Sequence, residues 1–144
     1  MAEGWQILKT TDTKGKGSDT EKITINLGLI DLGQIDLLVQ EAFYSNRTDF
    51  IRTAIRNQLQ THAEVVKQTV SRKTMVLGLR HYSRDDLEAV RASGQQLQIH
   101  VLGLASVGHD VDAELARAAI ASVHVLGVFQ ASSAVKSALA DRIH

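Results

Sequence analysis

The stretch that decides the fold is KITINLG, residues 22–28, in which polar and apolar side chains alternate. A period of two is typical of a β-strand with one buried face, and the apolar face here carries Ile23, Ile25 and Leu27. A strand needs a neighbour for its backbone hydrogen bonds, yet the sequence that follows has a helical pattern. The pattern therefore predicts a strand whose partner is not the next element of the chain.

Helical spacing of apolar residues follows the strand directly. Asp31 and Gln34 fit a helix-opening capping pattern, in which an acidic cap precedes an amide by three residues. We expect this first helix to end near Tyr44–Ser45.

A second helix is predicted to open at Asn46, because Asp49 follows it with the spacing of a further capping pattern. No Gly lies between Gly33 and Gly78, and the chain has no Pro. Since the usual helix-stopping residues are missing, we expect this helix to extend to about residue 73.

The second half of the chain is repetitive. It contains MVLGL at 75–79, HVLGL at 100–104 and HVLGV at 124–128, and the glycines of these segments are 25 and 24 residues apart. A helical segment follows each of them, with caps predicted at Ser83 together with Asp86, at Asp110, and at Ser132 or Ser133. Twelve residues after the three glycines stand Val90, Leu115 and Leu139. Strand–helix units of this length pack as parallel strands with helices on one face, either a short solenoid or a small parallel sheet.

Composition limits the class of protein. The 144 residues suffice for one ordinary domain or two small ones, and the absence of Cys excludes disulfides and thiolate metal sites. No apolar run approaches the roughly 20 residues that span a bilayer, and no secretory signal is recognisable, so we expect a soluble cytoplasmic protein without membrane contact. The formal net charge is zero, so any affinity for DNA has to come from local placement of charge.

The order strand, helix, helix over residues 21–60, with YSNRTDFIRTAIRNQL at the second helix, resembles the ribbon-helix-helix family of bacterial DNA-binding regulators, the CopG, Arc and MetJ-like proteins. The resemblance implies that the strand pairs antiparallel with the same strand of a second copy. Together with the repeats of the second half, the resemblance gives an expected fold class of α+β, an intertwined ribbon-helix-helix dimer followed by a small α/β domain of three strand–helix repeats. The implied partner is double-stranded DNA, because a two-stranded ribbon fits the major groove.

The same resemblance places Lys22, Thr24 and Asn26 against base edges. Lys can donate to guanine, Asn can pair with adenine through two hydrogen bonds, and Thr can contact a thymine methyl group. The alternative is that these side chains are simply the solvated face of a strand.

Asn46, Arg47 and Thr48 stand where the family anchors a DNA phosphate at the start of the second helix. Free amides and the positive end of a helix suit an anion. Plain capping by Asn46 is the alternative, and the two roles are compatible. The nickel sensor of the same superfamily uses Cys among its metal ligands, and because Cys is absent here we expect no nickel sensing.

Two histidines, His100 and His124, occupy the same position in the second and third repeats. In adjacent parallel strands they could share a metal ion or titrate as a pair, but the first repeat has Met75 there, which favours a structural role. We expect no metal site and no cofactor. No nucleotide-binding, nucleophile-elbow or zinc-protease motif occurs, so we expect no catalytic residue and no enzymatic activity.

Both faces of the three repeat strands are apolar, whereas helices would cover only one of them. A large exposed apolar patch usually marks a protein interface, so we expect higher self-association through this half.

The division expected from these patterns is a flexible arm at 1–20, a DNA-binding domain with an extended second helix at 21–73, and an oligomerisation domain at 74–144. The arm is either a disordered tail or a basic segment that follows the DNA backbone. The predicted function is that of a sequence-specific transcriptional regulator, a repressor. The alternatives are an antitoxin, a ligand-sensing regulator and a filament-forming DNA-binding protein.

Overall fold

The computed structural model describes residues 20–144, and the chain divides into two compact units, Met1–Lys67 and Gln68–His144. The arm predicted at residues 1–20 lies outside the described residues except for Thr20. The described residues form an α+β structure of six α-helices and a three-stranded parallel sheet.

The described part of the first unit begins with a segment, residues 20–28, that belongs to no sheet in the single chain. The helix α1, Leu29–Gln40, follows it with Gly28 as its N-cap and without a side-chain cap. The predicted cap at Asp31 is therefore wrong. Asp31 lies in the first turn of α1 instead, where a carboxylate favourably faces the positive helix end.

The end of α1 also differs from the prediction, because the helix stops at Gln40 and not near Tyr44–Ser45. Ala42 adopts a φ of 66°, in the left-handed region. The amide of Phe43 then donates to the carbonyl of Leu38 at 2.9 Å, and the amide of Ala42 donates to that of Val39 at 3.0 Å. These two bonds form a Schellman motif, which ends a helix although no glycine is present.

The second helix predicted from the sequence is interrupted once. Helix α2 spans Arg47–Thr61 and α3 spans Ala63–Arg72, with His62 between them. The hydroxyl of Thr61 donates to the carbonyl of Asn57 at 3.2 Å, a back-bond that bends helices. The amide of His62 donates to the carbonyl of Leu59 at 3.1 Å, which tightens the last turn. The helix expected to continue to residue 73 therefore exists as two segments.

The second unit alternates strands with helices. Its elements are β1 (Val76–Tyr82), α4 (Arg84–Ala92), β2 (Leu97–Val107), α5 (Ala113–Ala119), β3 (Ile120–Gln130) and α6 (Ser133–Ala138), followed by a 3₁₀ turn at Ala140–Arg142. The strands are parallel and lie in the order β1-β2-β3. This arrangement confirms the three strand–helix repeats, packed as a small parallel sheet.

The register of the sheet follows the sequence repeat. Gly78 pairs with Gly103, which pairs with Gly127, so the three glycines lie on one level across the sheet. His100 pairs with His124 in the same register. The spacing of the glycines in the sequence therefore fixes which residues of neighbouring strands face each other.

The helices cover one face of the sheet. Ile99, Val101 and Val123 point to that face and are at most 1% exposed. They belong to a cluster with helical residues, among which Leu87, Leu115, Val135 and Leu139 are fully buried or nearly so. Val90 packs against the cluster, so all three residues that follow the glycines by twelve positions contribute to the core.

Side-chain caps start the three helices of this unit. Ser83 and Asp86 form the predicted capping box of α4, and the hydroxyl of Ser132 accepts from the amide of Val135 to cap α6. The cap of α5 is Asp112, whose carboxylate accepts from the amide of Leu115 at 2.8 Å. The predicted cap at Asp110 is wrong because a turn precedes the helix, closed by a bond from the Val111 amide to the Gly108 carbonyl.

Candidate nucleic-acid interface

The first unit exposes most of its large apolar side chains. The exposed fractions are 62% for Ile23, 58% for Ile25 and 85% for Leu29, whereas Ile35 is the one apolar residue of residues 20–67 that is buried. Helix α2 adds Ile55 to this exposed set. A domain cannot be stabilised by so small a core, and an apolar surface of this extent indicates an interface with another chain.

The three predicted base-contacting residues lie in the segment that precedes α1. Lys22, Thr24 and Asn26 are exposed, and they alternate with Ile23 and Ile25 along the segment. The structure therefore leaves their polar groups accessible and keeps all three within one short stretch. It does not pair this stretch with any strand of the described chain.

The predicted phosphate-contacting residues open helix α2. Asn46 is the N-cap, and its side-chain oxygen accepts from the amide of Asp49 at 2.8 Å. In return, the carboxylate of Asp49 accepts from the amide of Ser45 at 2.9 Å. The side-chain oxygen of Asn46 is therefore engaged with its own helix, which confirms the predicted cap there.

The helix start still offers donors for an anion. The first amides of a helix have no intrahelical acceptor, and the cap satisfies that of Asp49, which leaves the amides of Arg47 and Thr48 for an external partner. The partial positive charge of the helix end lies at the same place. The geometry suits a phosphate oxygen better than it suits a cation.

Arg47 has a partner that the sequence reading missed. Its Nε donates to Oδ1 of Asp36 and its Nη2 donates to Oδ2, each at 2.8 Å. The hydrogen bond from Arg47 is the main cause that lowers the pKa of Asp36, and the same bond raises the pKa of Arg47. Asp36 stands in α1, eleven residues before Arg47, so no local sequence pattern signals this pair.

A family model for the ribbon-helix-helix transcriptional regulators matches residues 18–136 of the chain. The chain belongs to this family. No curated protein and no solved structure matches it significantly.

Membership in this family confirms the resemblance and implies regulation through DNA binding. The match runs past residue 60, where the resemblance ended, and includes the strand–helix repeats up to α6. Regulators of the family bind DNA as dimers, which agrees with the exposed apolar surface of residues 20–67. The prediction that the chain is not an enzyme is confirmed by the same finding.

His100 and His124 of this ribbon-helix-helix regulator lie side by side, because they pair in the register of the neighbouring strands β2 and β3. His100 Nε2 is 3.2 Å from His124 Nδ1, and the ring centroids are 4.8 Å apart. A third ligand is not near them, since no group of three or more His, Asp or Glu in residues 20–144 could hold a metal ion. A structural role for the pair stays our prediction.

Within the second unit of this regulator, no described helix covers the other face of the sheet. Leu77, Leu79 and Leu126 lie on this face and are 63%, 60% and 52% exposed. His100 and His124 stand on the same face, half-buried beside the leucines. The expectation that one apolar face would lack a covering helix is met in the described chain. None of the helices in residues 20–144 is long and apolar enough to cross a membrane.

Proposed function

We propose that this regulator is a repressor that reads operator DNA with a β-ribbon formed by residues 22–28 of two copies. The observation that carries the proposal is the alternating segment itself, which has no partner strand in residues 20–144 and exposes its apolar side chains. Antiparallel pairing with a second copy would satisfy the backbone hydrogen bonds and bury Ile23, Ile25 and Leu27 together. Two-stranded ribbons of this kind fit the major groove.

The outward face of the ribbon reads the bases. Lys22, Thr24 and Asn26 would point away from the apolar face and towards the groove, because side chains alternate along a strand. Lys22 can donate to guanine, Thr24 can contact a thymine methyl group and Asn26 can pair with adenine. Each copy contributes one set, so the operator has two related half-sites.

Helix α2 anchors the ribbon. A DNA phosphate would bind the amides of Arg47 and Thr48 at the helix start, with the capped Asn46 holding the backbone in place. Contacts of this kind set the position of the protein on the duplex without reading its sequence.

Residues 74–144 join the DNA-binding dimers into larger assemblies. The open sheet face is apolar at its centre, and burial of Leu77, Leu79 and Leu126 against a second copy would remove this surface from water. Joined dimers bind neighbouring operator sites with a raised effective concentration. With residues 21–73 as the DNA-binding domain and residues 74–144 as the part that joins dimers, the protein would repress cooperatively in the cytoplasm.

The folded second unit favours a repressor over an antitoxin. Antitoxin tails are typically disordered until they cover a toxin. The repeats here form a sheet with a buried core that includes Leu87, Leu115 and Leu139.

Base readout is tested by a gel shift on the DNA upstream of the coding sequence, with the wild type, Asn26→Ala and Asn57→Ala. Asn57 is a matched control because it is an exposed Asn of the same unit, in α2. Asn26→Ala should lose preference for the specific DNA and keep salt-sensitive binding to any DNA. Asn57→Ala should retain both. An unchanged preference in Asn26→Ala would remove this residue from the reading set.

Self-association is tested by light scattering on the whole chain with Leu126→Glu and Ser137→Glu. Both variants add one negative charge to an exposed position of the second unit, but Ser137 lies in α6 on the opposite side of the sheet. Leu126→Glu should reduce the assembly to a dimer, because a carboxylate is costly to bury. Equal masses for the two variants would count against the open face as an interface.

A further inference from the structure

The glycine level of the sheet has a repeating geometry. Gly78, Gly103 and Gly127 have φ values of 134°, 138° and 120°, which disfavour any residue with a side chain. A Cβ on Gly103 would overlap the carbonyl oxygen of Gly78, and a Cβ on Gly127 would overlap that of Gly103. Each strand therefore places a carbonyl oxygen in the space that the missing side chain of the next glycine leaves open.

This fit of a carbonyl oxygen against a glycine occurs twice within the chain. At each outer edge of the sheet, only one of the two partners of such a fit is present. No atom of the described residues lies within 4 Å of the Cβ position of Gly78, although Gly78 has the same φ as the others. At the opposite edge, the repeat directs the Gly127 carbonyl outward, because the Gly78 and Gly103 carbonyls both point to the following strand. At the β1 edge, no carbonyl fills the space beside Gly78. At the β3 edge, the Gly127 carbonyl points outward and could fill such a space.

The two edges also match in length. Val76, the first residue of β1, stands on the level of Val101 and Val125, and His81 stands on the level of Ser106 and Gln130. A strand β1 placed on the outer edge of β3 in this register would therefore pair along residues 125–130.

Residues 143 and 144 pair with the outer edge of β3 only below that stretch. Ile143 pairs with Val123, and the amide of His144 donates to the carbonyl of Val123 at 2.9 Å. They cover β3 below Val125, on levels at which β1 has no strand residue. The outer edge of β3 is therefore covered only at levels where β1 has no strand residue, and it is open at the levels where β1 has one.

We infer that β3 of one copy pairs in parallel with β1 of another copy, with Gly127 opposite Gly78. The partner strand belongs to a second copy, because the open space beside Gly78 requires a strand whose carbonyl points outward at the level of the three glycines. Strand β3 has such a carbonyl at Gly127. The contact is heterologous, and each added copy presents a new open edge, so the sheet grows as a ladder. The inference rests on the proposed self-association through residues 74–144 and adds an edge contact to the face contact proposed there.

Disulfide trapping in the whole chain tests the register, since the natural chain has no Cys. Leu79 stands on the level of Leu104 and Val128. In the inferred contact, Leu79 of one copy lies beside Val128 of the next at about one strand spacing, 4.8 Å, within the range for a disulfide. Inside one chain, the same two positions are two spacings apart, about 10 Å, which is too far for a disulfide.

A mixture of the single variants Leu79→Cys and Val128→Cys should form a covalent heterodimer under mild oxidation, whereas neither variant should crosslink by itself. Leu79→Cys mixed with Leu126→Cys is the control, because these positions are two residues out of register. Crosslinking of Leu79→Cys alone as efficiently as in the mixture would show that the trap reports another contact between copies, and that result, like absence of the mixed product, would overturn the inference.

A second pair of variants removes the fit at Gly78. Gly78→Ala added to Leu79→Cys should abolish the mixed crosslink, because its Cβ takes the space of the Gly127 carbonyl. Gly94→Ala should keep the crosslink, although Gly94 also has a positive φ and open space around it. The readout needs no DNA, so a failed crosslink with intact operator binding would contradict this contact and leave the proposed repressor function in place.

Discussion

The guanidinium of Arg47 donates to both carboxylate oxygens of Asp36, each at 2.8 Å, and thereby ties the start of α2 to α1. Arg47 is also a proposed phosphate contact. The guanidinium cannot offer the same two donors to a phosphate while it holds the carboxylate, so DNA would have to compete with Asp36. Because the two side chains are 56% and 48% exposed, the exchange costs little burial.

Substitution of Arg47 measures its part in DNA binding. If Arg47 leaves Asp36 for a phosphate, Arg47→Gln should make the plot of log K against log salt shallower by about 2 for a bound dimer, since each neutralised phosphate contributes about 0.9 to the slope and each copy loses one. The measurement is a salt titration of DNA affinity. Arg91→Gln is the matched control, because it removes the same charge from an exposed position of the second unit.

Both slopes would stay equal if Arg47 kept Asp36 as its partner in the complex. In that case the phosphate contact would belong to the amides of Arg47 and Thr48 alone. The gel shift of the two variants on specific DNA would then be alike as well.

Asp86 makes the stability of the second unit depend on pH. A hydrogen bond from the backbone amide of Ser83, and then the one with the Ser83 hydroxyl, lower the pKa of Asp86 below its ordinary value of 3.8. A lowered pKa means that the folded state favours the charged carboxylate, so this contribution is present above the unfolded pKa and is lost as the pH falls through the folded one. Asp86→Asn should therefore lower the free energy of unfolding at neutral pH and change it little in acid.

Urea denaturation over a series from about pH 7 down to about pH 2 checks this expectation, since the contribution is lost only below the lowered pKa of the folded state. Asp85→Asn is the control, because Asp85 is an exposed first-turn acid of the same helix that takes no part in the capping box. A stability difference for Asp86→Asn that persists unchanged in acid would contradict the capping role.

The strand–helix repeats could be predicted from sequence because their geometry is periodic. The spacing of Gly78, Gly103 and Gly127 encodes the register directly, and Leu115 and Leu139 follow at a fixed distance into the core. Capping at Ser83 was equally predictable, since the cap and its acid stand close in sequence.

Two kinds of feature escaped the sequence reading. Two residues after α1 and after α3, Ala42 and Thr74 adopt the left-handed region and terminate these helices, although neither residue is a glycine. The pairing of Arg47 with Asp36 depends on how α1 and α2 meet, which no local pattern reports. The partner of residues 22–28 is a further case, because a contact between two copies has no trace in one chain's periodicity.

Replacement of Thr74 should stabilise the protein. Thr74 has a φ of 56°, and its amide and that of Met75 donate to the carbonyls of Ser71 and Val70 in a second Schellman motif. The left-handed conformation costs a residue with a side chain about 1–2 kcal/mol, and glycine loses about 0.5–1 kcal/mol of this gain through its freer unfolded state. Thr74→Gly should raise the free energy of unfolding by roughly 0.5–1 kcal/mol in urea denaturation.

The control for this variant is Thr69→Gly in the interior of α3. It should instead lower the free energy of unfolding by up to about 1 kcal/mol, because glycine is unfavourable inside a helix. A loss of stability in both variants would show that Thr74 is not strained.

Two glycines of the second unit separate conformational strain from steric overlap. Gly94 has a φ of 76° with open space at its Cβ position, so Gly94→Ala should cost about 1–3 kcal/mol of strain alone. Gly103 has a φ of 138°, and a Cβ there also overlaps the carbonyl oxygen of Gly78, so Gly103→Ala should cost more than about 4 kcal/mol or prevent folding of the sheet. Urea denaturation followed by circular dichroism compares the two. Equal losses would mean that β1 can move away from β2 at this level, and the close approach of the strands at the glycines would then not be required by the fold.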